Sequence, residues 1–199
     1  MWPAAWILLR IFYRIEIHGK EHLKNIRLPV IIVSNHKTLF DGFLVGIALP
    51  FLSPLFPIRF MTEEEHFRTP ILEFLRKIKF LKFAYILFGG FPSGRGAGVE
   101  NAIKLPLKLL KEQETIVMFP EGGLMREDRL DIFYPGAAAL ALKSGANVLP
   151  LAIRFENHKI FLSLGEPFQL DALSVDSGIE IIRTKVQGLF YACDQDLET

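Results

Sequence analysis

Cysteine occurs once in the 199 residues, at Cys193, which excludes an intramolecular disulfide and is consistent with a reducing compartment. An excess of one charge is also missing. The 23 Lys and Arg against 22 Asp and Glu leave a formal charge of +1, so no global field argues for a nucleic-acid partner. Nor is there a long apolar run: a membrane-spanning helix needs about 20 apolar residues. The run from Trp2 to Leu9 meets Arg10, and the run from Phe43 to Ile58 is divided by Pro50, Pro54 and Pro57. The N-terminal run also lacks the basic start and cleavage site of a signal peptide. Repeats, low-complexity tracts and linker-like shifts of composition are absent. His18, His22, His36, His66 and His158 show no His-x3-His or Cys pattern, so no metal site is assigned. No Gly-x-Ser-x-Gly elbow offers a nucleophile.

What the chain does have is grease. A mean hydropathy of +0.28 and 18 phenylalanines are high for a freely soluble domain and point to contact with lipid. With no spanning segment, the expectation is a membrane-associated protein, peripheral or monotopic. The length suits one well-buried core.

The pattern of elements predicts a single α/β domain. Residues 2–13 read as a short apolar helix with Trp2, Trp6, Phe12 and Tyr13 as interfacial anchors, giving an N-terminal unit 1–14 ahead of a domain 15–199. Strands are expected at 14–18, 29–34, 59–61, 85–88, 115–119, 148–155 and 160–164. Helices are expected at 40–49, 70–79, 98–112, 136–144 and 176–193. Pro106 should kink the 98–112 helix or mark a late start, and Gly145 should close the one before it. Such alternation implies a mostly parallel or mixed central sheet with helices on its faces.

Two strand ends carry residues suited to chemistry. The apolar run Pro29 to Val33 leads into Ser34-Asn35-His36-Lys37-Thr38-Leu39-Phe40-Asp41. Imidazole takes a proton near neutral pH, and a carboxylate holds it in one tautomer. Five residues of regular helix leave two side chains about 140° apart. The pair therefore meets only if His36 lies in the turn before the helix and Asp41 in its first turn, with Ser34 or Asn35 as N-cap. By spacing alone, a helix N-terminus with a solvated histidine and an aspartate on the dipole fits equally well.

The second strand end is Phe119-Pro120-Glu121-Gly122-Gly123, where proline stops the ladder and glycines admit a ligand close to backbone N–H groups. Taken alone it reads as a strand-to-loop turn. A third stretch, Gly89 to Gly96, sets Arg95 among glycines, a way to hold a phosphate, although a flexible surface turn accounts for it as well. It is not a P-loop, since no Lys-Ser or Lys-Thr follows. A fourth, Arg76 to Phe83, interleaves four cations with apolar residues and suits anionic lipid head groups or an ordinary solvated helix face.

In this order the elements resemble the glycerolipid acyltransferase family, whose best-known members act on lysophosphatidate (1-acylglycerol 3-phosphate). Asn35, His36 and Asp41 match its first block, Gly89 to Arg95 its second, Phe119 to Gly122 its third and Val148 to Ile153 its fourth. Gly19, the run Pro135 to Ala138 and the run Gly165 to Pro167 agree too. The resemblance covers about residues 7 to 190.

It implies transfer of a fatty acyl group from a thioester of coenzyme A or acyl carrier protein to a glycerolipid hydroxyl, at the cytoplasmic face of a membrane. His36 would be the general base and Asp41 its orienting partner. Asn35, Arg95, Glu121, Gly122 and Gly123 would bind substrate, Arg95 through the acceptor's phosphate. No cofactor and no nucleic acid are implied. The chain departs from the family where Gly94 replaces an acidic residue, where Gly123-Leu124 replaces Thr-Arg, and in the acidic loop 62–65. Another lysophospholipid or a non-phosphate acceptor therefore stays open. So does a non-catalytic lipid-binding protein of this fold, although such a protein has no use for the base. A hydrolase lacks its nucleophile and metal ligands.

Overall fold

The β-branched run after Pro29 forms a central strand buried on both faces, as expected where helices cover both sides of a parallel sheet. The computed structural model describes residues 13–24, 26–62, 86–92, 98–124, 130 and 132–195, with Phe74, Lys77, Lys79 and Phe83. Its strands are β1 (Arg14–His18), β2 (Val30–Ser34), β3 (Ile58–Thr62), β4 (Gly90–Pro92), β5 (Thr115–Met118), β6 (Asn147–Glu156), β7 (Lys159–Leu164) and β8 (Phe168–Gln169). The helices are α1 (Asp41–Ala48), α2 (Val99–Ala102), α3 (Lys104–Lys111), α4 (Gly136–Ser144) and α5 (Val175–Gln195), and Lys20–Leu23 forms a 3₁₀ turn.

The sheet is mixed. Its order is β1-β7-β6-β2-β5-β3-β4, with β8 also paired to β6. Strands β6, β2, β5, β3 and β4 run parallel, while β7 and β8 are antiparallel to β6. Strand β1 is parallel to β7 and so runs against β2.

Alternate residues of β2 feed opposite layers, as the period of a strand dictates. Ile31 and Val33 pack with Ile116, Val148, the alanines of α4 and, from α5, Ile182, Val186 and Phe190. Those three α5 residues recur every four positions and share one helix face. Val30 and Ile32 pack with Leu149, Leu151, Ile153 and, from α1, Leu44, Val45 and Ile47. At the far edge Arg59 forms a two-pronged ion pair with Glu114, at 2.7 and 3.1 Å, and that hydrogen bond raises the guanidinium's pKa.

Most of the described elements stand where the sequence puts them, with two differences. The strand expected at 85–88 is absent: Ile86 and Leu87 are helical and a turn follows. The pairing with β3 begins only at Gly90, opposite Phe60. Gly89 makes that approach possible, because at φ 96° an added Cβ would sit 2.3 Å from the Ile58 carbonyl oxygen. The 98–112 helix is split at Ile103 into α2 and α3. Pro106 falls in the first turn of α3, where its missing N–H has no partner to lose. The expected N-terminal helix, residues 2–13, lies outside the described residues except for Tyr13, and Arg14, the last residue of the expected N-terminal unit, already belongs to β1. The 70–79 helix likewise lies mostly outside them. Gly145 closes α4 in the left-handed conformation, its N–H donating to Ala141 O at 2.9 Å. Among the described residues no helix is long and apolar enough to cross a membrane.

Candidate active site

The loop after β2 is built around one buried carboxylate. Asp41 is fully enclosed and opens α1. Its Oδ2 accepts the backbone N–H of Thr38 at 2.8 Å, the backbone N–H of Lys37 and the Nδ1–H of His36 at 2.9 Å. Its Oδ1 accepts the Thr38 hydroxyl at 2.6 Å. A carboxylate that lost its water is thereby re-solvated by four donors, which is what a buried charge requires. Because an ionised carboxylate only accepts, the proton on the His36 ring is assigned to Nδ1, and Nε2 keeps its lone pair.

His36 lies before the first regular turn, as the geometry of the pair demands. Its backbone N–H donates to Glu121 Oε2 at 2.8 Å, and its ring stacks on Phe119 with centroids 4.3 Å apart and planes inclined by 19°. The ring is thus held on one side by the Phe-Pro-Glu-Gly turn and on the other by the start of α1. Its side chain remains 22% exposed, against 0% for Asp41. The turn itself is closed by Gly122 N–H donating to Phe119 O at 3.2 Å, with Gly122 at φ 65°. Gly122 and Gly123 are exposed, while Glu121 is nearly buried beside His36.

Two expectations change. Neither Ser34 nor Asn35 caps the helix; Phe40 occupies that position, with no side-chain cap, because Asp41 draws the loop in from inside the first turn. Asn35, expected among the substrate-binding residues, is fully buried and reaches instead across to β6. Its Nδ2 donates to Ile153 O at 2.8 Å and its Oδ1 accepts Ile153 N–H at 2.7 Å. It fixes where β2 ends and so where His36 begins. Arg95 lies outside the described residues.

Sequence reading missed the Thr38 hydroxyl and the Phe119 stack. Thr38 carried a signal, since a hydroxyl residue three positions before an aspartate is placed for a local side-chain bond. The stack had none, because it joins two strand ends. Among the described residues no group of His, Cys, Asp or Glu could hold a metal ion.

A histidine oriented in this way by a buried carboxylate, at the strand ends of a mixed α/β sheet, has the geometry suited to general-base chemistry on a hydroxyl or water. The comparison with known proteins narrows this class. A family model described as Acyltransferase matches residues 14–154, well over half of the chain, and the chain belongs to that family. It is 28% identical over 152 residues to a protein named 1-acyl-sn-glycerol-3-phosphate acyltransferase LPAT1, chloroplastic, of Arabidopsis thaliana, covering 75% of this chain and 38% of that one. It is 28% identical over 174 residues to a 1-acyl-sn-glycerol-3-phosphate acyltransferase of Bacillus subtilis, covering 82% and 78%. The chain thus spans about two fifths of the plant relative's length and most of the bacterial one. In fold it resembles PlsC of Thermotoga maritima, a 1-acyl-sn-glycerophosphate acyltransferase, with a TM-score of 0.72 at 21% identity, over 97% of this chain and 76% of that one.

Proposed function

We propose that the protein transfers a fatty acyl group from an acyl thioester to the free hydroxyl of 1-acylglycerol 3-phosphate, in phospholipid synthesis. The observation that carries this reading is the 2.9 Å bond from His36 Nδ1–H to a carboxylate held by three further donors. Nε2 of His36 takes the proton of the acceptor hydroxyl as its oxygen attacks the thioester carbonyl. The tetrahedral intermediate collapses with loss of the thiolate, which recovers the proton from the imidazolium, leaving ester and free thiol. Asp41 orients the ring and stabilises its cation. No acyl-enzyme and no resident cofactor are required, because the donor arrives activated as a thioester of coenzyme A or acyl carrier protein. A base of this kind contributes roughly 10²–10⁴-fold in rate.

In this reading Arg95 holds the acceptor's phosphate, and Glu121 with Gly122 and Gly123 borders its glycerol. The protein sits peripherally on the cytoplasmic face of the membrane from which it takes that lipid. Gly94 and the Gly123-Leu124 pair depart from the charged or hydroxyl-bearing residues that the family resemblance implies there, and favour a second reading in which the acceptor is a different lysophospholipid or carries no phosphate.

Replacing His36 with Ala tests the proposal. Acyl transfer from a radiolabelled thioester to lysophosphatidate is expected to vanish while the thermal unfolding curve is kept. Turnover retained in that variant would sink the mechanism. Running the wild-type chain against a panel of lysolipids, glycerol 3-phosphate and neutral acceptors decides between the two acceptor readings.

A further inference from the structure

The imidazole of His36 and the phenyl ring of Phe119 lie face to face, with centroids 4.3 Å apart and planes inclined by 19°. Three other ring pairs meet on edge: Tyr13 with Phe155 at 84°, Phe43 with Phe88 at 76° and Phe190 with Tyr191 at 87°. An edge-on pair sets the positive rim of one ring against the negative face of the other. The stack instead turns the negative face of the phenyl ring towards the whole imidazole. It does so at closer range than the permanent cations that lie over rings elsewhere. Lys185 Nζ is 4.7 Å from the centroid of Phe168, Lys159 Nζ 5.7 Å from that of Phe161 and Arg154 Cζ 6.0 Å from that of Phe190.

The main chain fixes both partners of the stack. Phe119 follows Met118, the last residue of β5, which is paired with Val33 of β2. Its carbonyl accepts Gly122 N–H at 3.2 Å, and the carbonyl of Pro120 accepts Tyr134 N–H at 2.7 Å. On the histidine, Glu121 holds the backbone N–H at 2.8 Å and Asp41 holds Nδ1 at 2.9 Å. Asp41 thus engages the imidazole at one edge, and Phe119 covers a face. The phenyl ring also packs against the apolar layer of Val30, Ile32 and Leu44. A charge beside such a layer is screened less than one in water.

We propose that Phe119, through the negative face of its ring, stabilises the imidazolium that His36 becomes during acyl transfer. This deepens the acyl-transfer reading and rests on it. A neutral imidazole gains mainly dispersion from the stack, whereas the cation also gains the attraction of the ring quadrupole. That attraction grows as Nε2 takes the proton of the acceptor hydroxyl, and it is lost when the departing thiolate takes the proton back. An interaction stronger in the transition state than before it raises the rate and not the affinity. Phe119 acts through His36 and not on the acceptor or the thioester.

Fluorine withdraws electron density from the face of the ring and nearly keeps its shape, so a fluorinated series separates charge from packing. Phenylalanine with one, two, three or five ring fluorines is placed at position 119 of the full chain. Single-turnover acyl transfer from a thioester to lysophosphatidate is then measured over a range of acceptor concentrations, together with the melting temperature. The logarithm of the rate is expected to fall stepwise with fluorine number, reaching about tenfold below wild type at five. The half-saturating acceptor concentration and the melting temperature should stay the same. Phe119→Leu should match the five-fluorine chain, and Phe119→Tyr, which keeps an electron-rich face, should stay within about twofold of wild type. Equal rates across the series, a rate loss that follows the melting temperature, or weaker acceptor saturation in place of a rate loss would each overturn the inference. In those three outcomes the wild-type chain still transfers the acyl group, and the proposed function stands. A wild-type chain inactive on lysophosphatidate refutes that function and this inference with it.

Discussion

Asn35 grips the backbone of Ile153 at two points, donating to its carbonyl at 2.8 Å and accepting its N–H at 2.7 Å, across 118 residues of sequence. Where the β2–β6 ladder would continue as peptide pairing, one side chain imitates a strand and releases the β2 backbone to turn. The next residue is His36, the proposed base. Asn35→Ala leaves both Ile153 groups buried without partners, at about 1–3 kcal/mol each. The expected result is a clearly lower melting temperature by circular dichroism together with reduced kcat. An unchanged melting temperature would show that the clasp carries no weight.

Thr38 holds the far oxygen of Asp41, and among the described residues no second donor reaches that oxygen. Thr38→Val keeps the shape and removes the hydroxyl, so one lone pair of a buried anion goes unmet. Asp41 then gains freedom to rotate away from Nδ1. The expected loss in kcat is about tenfold, from a charge-assisted hydrogen bond of about 1.5–3 kcal/mol partly replaced by rearrangement. Thr38→Ser should restore most of it. A serine variant as impaired as the valine one would mean that the methyl group, not the hydroxyl, matters.

How much of this was legible follows from how local each signal is. His36 and Asp41 were readable because they sit five residues apart at the end of an unmistakable strand, and the turn geometry left one workable arrangement. Glu121 was readable as a strand-end carboxylate, but its bond to the His36 backbone was not, because nothing in a linear sequence says that β2 and β5 are neighbours. Asn35 reads from sequence as a helix cap for the same reason: its partner lies on β6. The strand placed at 85–88 failed differently. Tyr85-Ile86-Leu87-Phe88 is a short apolar run without periodicity, and such a run does not distinguish a strand from the end of a helix. The edge pairing that decided it starts at the glycine beyond.

Gly89, one residue before that pairing begins at Gly90, offers a direct check on the fold. Gly89 lies at φ 96°, with the Ile58 carbonyl oxygen 2.3 Å from where a Cβ would stand. Gly89→Ala therefore adds both backbone strain and a clash with main chain that cannot swing aside. A destabilisation of about 2–4 kcal/mol is expected, read from urea unfolding, with the β3–β4 pairing losing hydrogen-exchange protection first. A variant as stable as the wild type would mean that the β4 edge is placed differently.

Glu121 tests whether the two loops that hold His36 act as one unit. Its Oε2 accepts the His36 N–H at 2.8 Å, while Phe119, two residues earlier, carries the imidazole on its face. A glutamine at this position still presents a carbonyl oxygen to that N–H, whereas an alanine does not. If Glu121 serves mainly to hold His36, Glu121→Gln keeps kcat within a few fold, and Glu121→Ala lowers it by about 10- to 100-fold, since small misplacement of a base is costly in rate. The KM for the acceptor should move little in either. If instead the acceptor's glycerol reads the carboxylate charge, Glu121→Gln raises that KM while kcat survives. We expect the first pattern for kcat, because the carboxylate is nearly buried and is already engaged with the backbone of the base.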